Sequence, residues 1–306
     1  MVANNQLFFG VYPLLATPFT PSGEFDETRF AALIDDLIVN GKVHGVIALG
    51  STGEFALLSE AERRRVAEVT VSATGKRVPV VIGTAAIDTK TAVALSKHAQ
   101  QAGADAIIVN PQSYWTPTED ELFGHYGAIA RAVDIPVMVY NNPGTTKVDM
   151  SPQFIARLNR EFSHFVAVKE STGDIRRVQN ILALTEGRMK VTIGHQSLAL
   201  AAFACGATGW TTGIANTIPN FCVQLFEEAV VQHDFLKARK TFERILPLCD
   251  FYARKSLTRA VKAAAEIMDK PLGSPRLPLL PLKPADYDEL RGLLAQVGLL
   301  EPASVA

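Results

Sequence analysis

Short apolar runs recur along the chain at intervals of roughly thirty residues, and between them apolar and polar positions alternate at helical spacing. Eight runs read as strands: "VYPLLATPF" (11–19), "GVIALG" (45–50), "VPVVIGT" (78–84), "DAIIVN" (105–110), "PVMVYNN" (136–142), "FVAVKE" (165–170), "KVTIGH" (190–195) and "GWTTGI" (209–214). Most are apolar almost without interruption, as parallel strands buried on both faces are. The segments between them carry helix-start signals. "DETRFAALIDDLIVNG" opens on Asp26 and closes on Gly41, and "SEAERRRVAEVTVSATG" opens on Ser59 with Glu62 three residues later, the spacing of a capping box. "DTKTAVALSKHAQQAG" and "TEDELFGHYGAIARAV" repeat the plan, while "VHGVIAL", "GADAIIV" and "GATGWTT" each enter a strand through a glycine, as in an eightfold repeat.

Eight β/α units in about 225 residues predict an α/β protein built as a closed (β/α)8 TIM barrel. A doubly wound open sheet usually has fewer strands and a glycine-rich nucleotide turn after the first, and here that turn reads "TPFTPSGEFD", without GxGxxG. From about residue 221 the pattern is helical, through "FCVQLFEEAVVQHDFLKARKTFERILPL" and "SLTRAVKAAAEIM", then a proline-rich turn and a last short helix. No flexible linker precedes this tail. The expectation is one domain over residues 1–306, with the barrel at about 8–225 and a C-terminal helical extension at about 226–306.

Composition narrows the function classes. Of the 306 residues, 48% are apolar, enough for a large core, and 30 basic against 31 acidic side chains give a net charge of −1. With no long run of either sign, neither a nucleic-acid nor a membrane partner is expected. "MVANNQLFFG" lacks the basic and long apolar regions of a signal peptide, and no apolar stretch approaches membrane-spanning length, so the chain reads as soluble and cytoplasmic. Cys205, Cys222 and Cys249 are widely spaced and read as small buried hydrophobes. The six histidines, His44, His98, His125, His164, His195 and His233, show no metal-ligand spacing, so no metal and no cofactor is expected.

In such a barrel the chemistry lies where strands end. Three ends stand out: "GSTGE" (50–54), "YNNPGTT" (140–146) and "KES" (169–171). Lys169 follows an apolar strand without a break. A lysine projecting into the lumen loses hydration, which lowers its pKa, and a neutral amine is the nucleophile that forms an imine with a ketone. The competing reading is a buried ion pair with Glu170 or a neighbour. The "GSTGE" turn suits either plain strand-to-helix geometry or a carboxylate cradle of backbone N–H groups and the hydroxyls of Ser51 and Thr52. Tyr140, next to the Asn141-Asn142-Pro143-Gly144 turn, faces the lumen in this reading, where a phenol passes protons to and from an amine on the adjacent strand.

"GVIALGSTGEFALLS", and "YNNPGTTKVDMSP" followed by "VAVKES", resemble the dihydrodipicolinate synthase / N-acetylneuraminate lyase family of class I aldolases, and the resemblance runs from "LLATPF" to the C-terminal helices. It implies that Lys169 forms a Schiff base with pyruvate or another 2-oxo acid, and that Tyr140 is the general acid/base. It also implies that Gly50, Ser51 and Thr52 hold the substrate carboxylate, with Ser51 relaying protons to Tyr140, and that Tyr114 of "QSYWTP" enters the relay from a neighbouring subunit of a homotetramer. In one respect the chain departs from the pattern it resembles: the synthases of lysine biosynthesis carry a carboxylate-gripping arginine where this chain has Thr145, and the two side chains are not interchangeable for that task. The leading expectation is therefore a Schiff-base lyase, aldolase or dehydratase acting on a 2-oxo acid. The alternatives are 4-hydroxy-tetrahydrodipicolinate synthase, condensing pyruvate with aspartate semialdehyde, and, more remotely, a non-catalytic 2-oxo acid sensor. His195, Gln196, Trp210, Thr211 and Ile214 would line the same mouth, with Ile214 a substrate contact.

Overall fold

The structure, a computed structural model, describes residues 7–111 and 114–300. Eight strands run in parallel: β1 (Gly10–Pro13), β2 (Val46–Ala48), β3 (Val80–Gly83), β4 (Ala106–Val109), β5 (Val137–Asn141), β6 (Phe165–Glu170), β7 (Lys190–Ile193) and β8 (Gly209–Thr212). They are ordered β1-β8-β7-β6-β5-β4-β3-β2. The ring closes between β1 and β2, where Leu14 bridges Ile47 and the Leu15 N–H donates to the Ile47 carbonyl at 2.8 Å. The expected TIM barrel with C-terminal helices is present.

β6 has its predicted bounds and the other strands are shorter than predicted. The first differs most. Its ladder with β8 ends at the Pro13–Thr212 pair, after which the Leu14 N–H still donates to the Thr212 carbonyl and the Leu15 N–H turns to Ile47 on the other side. β2 stops at Ala48 because Leu49 takes a φ of 60°, a left-handed conformation through which a strand does not continue.

Around the ring lie α1 (Glu27–Val39), α2 (Glu60–Thr74), α3 (Thr89–Ala102), α4 (Glu119–Ala130), the single turn α5 (Pro143–Thr146), α6 (Pro152–Glu161), α7 (Arg176–Leu184), α8 (Ala199–Ala204) and α9 (Pro219–Phe226). Asp26 caps α1 by accepting the Arg29 N–H at 3.0 Å, and Ser59 with Glu62 forms the predicted capping box of α2. The helical stretch predicted from residue 221 is interrupted. A π-helical turn, Glu227–Val231, follows α9, and α10 (Phe235–Lys255) restarts under a new cap, Asp234. Then come α11 (Leu257–Ile267) and α12 (Pro284–Val297). Cys222 and Cys249 are buried as expected, whereas Cys205 is only partly so. No helix among the described residues is long and apolar enough to cross a membrane.

Two apolar layers result from strand alternation. One fills the barrel, with Tyr12, Ile47, Val81, Ile108, Met138 and Ala167 among its members. The other lies between strands and helices and takes Val139 and Val168. Since side chains alternate along a strand, the inward Ala167 puts Lys169 inward, and the outward Val168 puts Glu170 outward.

Candidate active site

Lys169 on β6 stands in register with Tyr140 on β5 and Thr192 on β7. It is 2% exposed, and its Nζ lies 3.8 Å from the centroid of the Tyr140 ring. Glu170 faces the other way and is occupied there: Arg177 Nε donates to it at 3.0 Å and the Thr172 N–H at 2.7 Å. The Glu170 form of the ion-pair reading is thus excluded. Space for the lysine is made at the end of β7, where a Cβ on Gly194 would come within 2.6 Å of Lys169 Cε and 1.9 Å of Ser171 Oγ. A residue other than glycine would displace the amine. The sequence reading did not single out Gly194; its signal is a glycine ending a strand beside Lys169.

Burial pushes the Lys169 pKa down, and attraction to Tyr140 with a hydrogen bond to it opposes this without cancelling it. Burial pushes the Tyr140 phenol up, but the Lys169 charge and hydrogen bonds involving Lys169, Asn142 and Ser51 outweigh it and leave the phenol below its ordinary value. Both groups are therefore easier to deprotonate than in water, and they titrate as a pair. Asn142 Nδ2 donates to the Tyr140 hydroxyl at 2.8 Å and to Thr145 Oγ1 at 3.1 Å. Thr145 is exposed and reaches the phenol through Asn142, a residue that sequence reasoning used only as part of a turn.

The "GSTGE" segment forms a 3-10 turn, Ser51–Gly53, beginning after the buried Gly50. Thr17 Oγ1 donates to the Gly53 carbonyl at 2.7 Å and ties the turn to the chain after β1. Ser51 is half-buried. Thr52 is 1% exposed, and its Oγ1 has no hydrogen-bond partner among the described residues. A Cβ on Gly213, after β8, would come 2.7 Å from this oxygen, and Ile214 beside it is fully buried.

The remaining candidates divide. His195 is half-buried with Nδ1 unpartnered, its pKa pushed down by burial against an opposing pull from Asp250. Gln196 is buried. Thr211 bonds Thr192 Oγ1 at 3.0 Å, and Trp210 is wholly buried in the layer under the helices, so it packs the core and does not line the lumen. Tyr114 is 90% exposed with its ring edge-on to Trp115, and within this chain it is not joined to the Lys169 cluster; Gln112 and Ser113 before it lie outside the described residues.

A buried amine stacked on a phenol, at the C-terminal mouth of an eight-stranded parallel barrel, defines a lyase of the class I aldolase type. The chain belongs to the dihydrodipicolinate synthetase family, whose model matches residues 7–297. It is 39% identical to 4-hydroxy-tetrahydrodipicolinate synthase of Syntrophobacter fumaroxidans over 96% of this chain and all of that one. Dihydrodipicolinate synthase from Aquifex aeolicus superposes with a TM-score of 0.92 at 31% identity, covering 96% of this chain and 100% of that one. A prophage protein of the dihydrodipicolinic acid synthase family from E. coli K12, in complex with pyruvate, superposes with a TM-score of 0.91 at 31% identity over the same shares.

Proposed function

We propose that this enzyme forms a Schiff base between Lys169 and pyruvate and joins the derived enamine to an aldehyde, as a pyruvate-condensing aldolase. The neutral Nζ adds to the carbonyl carbon, and the oxygen departs as water. The resulting iminium draws electrons, so a proton leaves the methyl carbon and that carbon attacks the aldehyde; hydrolysis then frees the amine. Tyr140 moves the protons, Ser51 links it to the substrate, and Gly50, Ser51 and Thr52 receive the carboxylate against Ile214. In this reading Tyr114 reaches the relay of a neighbouring copy in a homotetramer. The observation that supports it most is the Lys169 amine, buried 3.8 Å from the Tyr140 ring centroid and free of the carboxylate next to it in sequence.

For the aldehyde, the names of the relatives support aspartate semialdehyde, and hence 4-hydroxy-tetrahydrodipicolinate synthase. A second reading rests on Thr145. Its neutral hydroxyl, bonded to Asn142, supports an acceptor without a carboxylate at that point, in aldol cleavage, condensation or dehydration of another 2-oxo acid. Borohydride reduction with pyruvate, followed by peptide mass mapping, should put one adduct on Lys169, absent in Lys169→Ala. Tyr140→Phe should lower kcat about a hundredfold or more with a smaller change in KM. An adduct elsewhere overturns the proposal. Turnover of aspartate semialdehyde against a panel of hydroxylated aldehydes decides between the acceptors.

A further inference from the structure

Besides Lys169, one other lysine among the described residues is buried, and it lies outside the barrel. Lys262 on α11 is set among Ala260, Val261, Ala263, Ala264 and Ala265, in an environment as apolar in sequence as that of Lys169. Its Nζ pairs with Glu54 Oε1 at 2.8 Å, the side chains being 3% and 0% exposed. Glu54 Oε2 accepts the Arg276 backbone N–H at 2.8 Å, so the carboxylate faces the ammonium with one oxygen and is hydrogen-bonded through the other. Lys262 also donates to the Ser274 carbonyl at 3.0 Å. Its Nζ and the Arg276 guanidinium lie 4.1 Å and 4.4 Å from the centroid of the Phe19 ring. One helical turn earlier, Thr258 Oγ1 donates to the Ser51 carbonyl at 3.3 Å.

Glu54 directly follows the 3-10 turn that carries Ser51 and Thr52, and it takes a φ of 57°, a conformation a residue with a Cβ adopts at a cost. Apolar residues of equal volume often hold a fold as well as a buried ion pair does or better, so stability alone gives no reason for this one. A carboxylate held between an ammonium on one side and a backbone N–H on the other supplies direction. We propose that Lys262, Thr258 and the Arg276 backbone are positioning residues, through which the C-terminal helices hold Glu54 and the turn so that the Ser51 and Thr52 hydroxyls meet the substrate carboxylate. This rests on the imine reading above and adds that carboxylate recognition is set from α11.

The test compares two ketones, pyruvate and acetone, which differ in the carboxylate. Rates of borohydride trapping on Lys169 are measured for each in the full chain. The unsubstituted protein should trap pyruvate much faster than acetone. In Lys262→Met that preference should fall about tenfold, the scale of one lost hydrogen bond to a charged group, with acetone trapping unchanged. Lys262→Met/Glu54→Gln, which leaves no unpaired buried charge, should show the same loss, and it keeps the test decisive if the single variant does not fold. An equal fall for both ketones, or an undiminished preference in the double variant, overturns the inference. Absence of any Lys169 adduct in the unsubstituted chain overturns the proposed function as well, whereas an intact adduct with unchanged preference overturns the positioning role alone.

Discussion

Lys169 and Glu170 are chain neighbours in opposite environments. The carboxylate finds Arg177 and the Thr172 N–H, and the amine finds an aromatic face. The sequence could single out Lys169 because it ends an unbroken apolar run, but it could not say whether the two residues pair. Strand alternation decides that, by sending them to different layers. The lowered amine pKa has a thermodynamic consequence. In the unfolded chain the amine keeps its proton up to about 10.5, and in the folded chain it loses it at lower pH, so unfolding takes up a proton between the two values. Below the folded pKa the fold bears the cost of a buried charge, and stability recovers as pH rises through that window. Lys169→Met should therefore raise the melting temperature at pH 7, with the gain shrinking toward pH 10.5. A gain of equal size at both ends of a calorimetric pH series would refute the depressed pKa.

Among elements, β6 and α7 show how the site is braced from outside the barrel. Arg177 near the start of α7 bonds Glu170 at 3.0 Å and approaches Asp149 at 3.3 Å, while Asn141 at the end of β5 donates to Asp149 at 2.9 Å. This ties the ends of the strands bearing Lys169 and Tyr140 to one cation. Removing that cation leaves the buried Glu170 without its charge partner. Arg177→Met should cost about 3–5 kcal/mol in urea unfolding, and Glu170→Gln added to it should return much of the loss. A loss under 1 kcal/mol would mean that α7 does not brace the strand. Boundaries were the weakest part of the sequence reading, for a local reason. Apolar runs continue past the ladder where a left-handed residue ends it, as at Leu49, or where the next N–H groups turn to another strand, as after Pro13, and hydrophobicity does not register either event.

At the scale of the whole molecule, the proposed site draws on the ends of β2, β5, β6, β7 and β8, and the turn after β2 is hydrogen-bonded by a helix more than 200 residues further along the chain. Tyr114, 90% exposed, is the proposed contribution of a second copy. Inactive Lys169→Ala and impaired Tyr114→Phe chains, when co-expressed, should assemble sites with both native residues, giving activity above the sum of the two parents. Activity equal to that sum would remove Tyr114 from the relay. The eight β/α units, the helical tail and the strand ends worth attention were all legible in the chain, because period and strand-end chemistry are local properties that a linear pattern preserves. Gly194, Asn142 and the Glu54–Lys262 pair were not, because what defines each is a distance to residues remote in sequence or hidden in a turn. Sequence by itself determined which elements form and which side chains could react. Only the closed barrel decided which groups lose water and meet, because burial and proximity arise when distant strands and helices pack together.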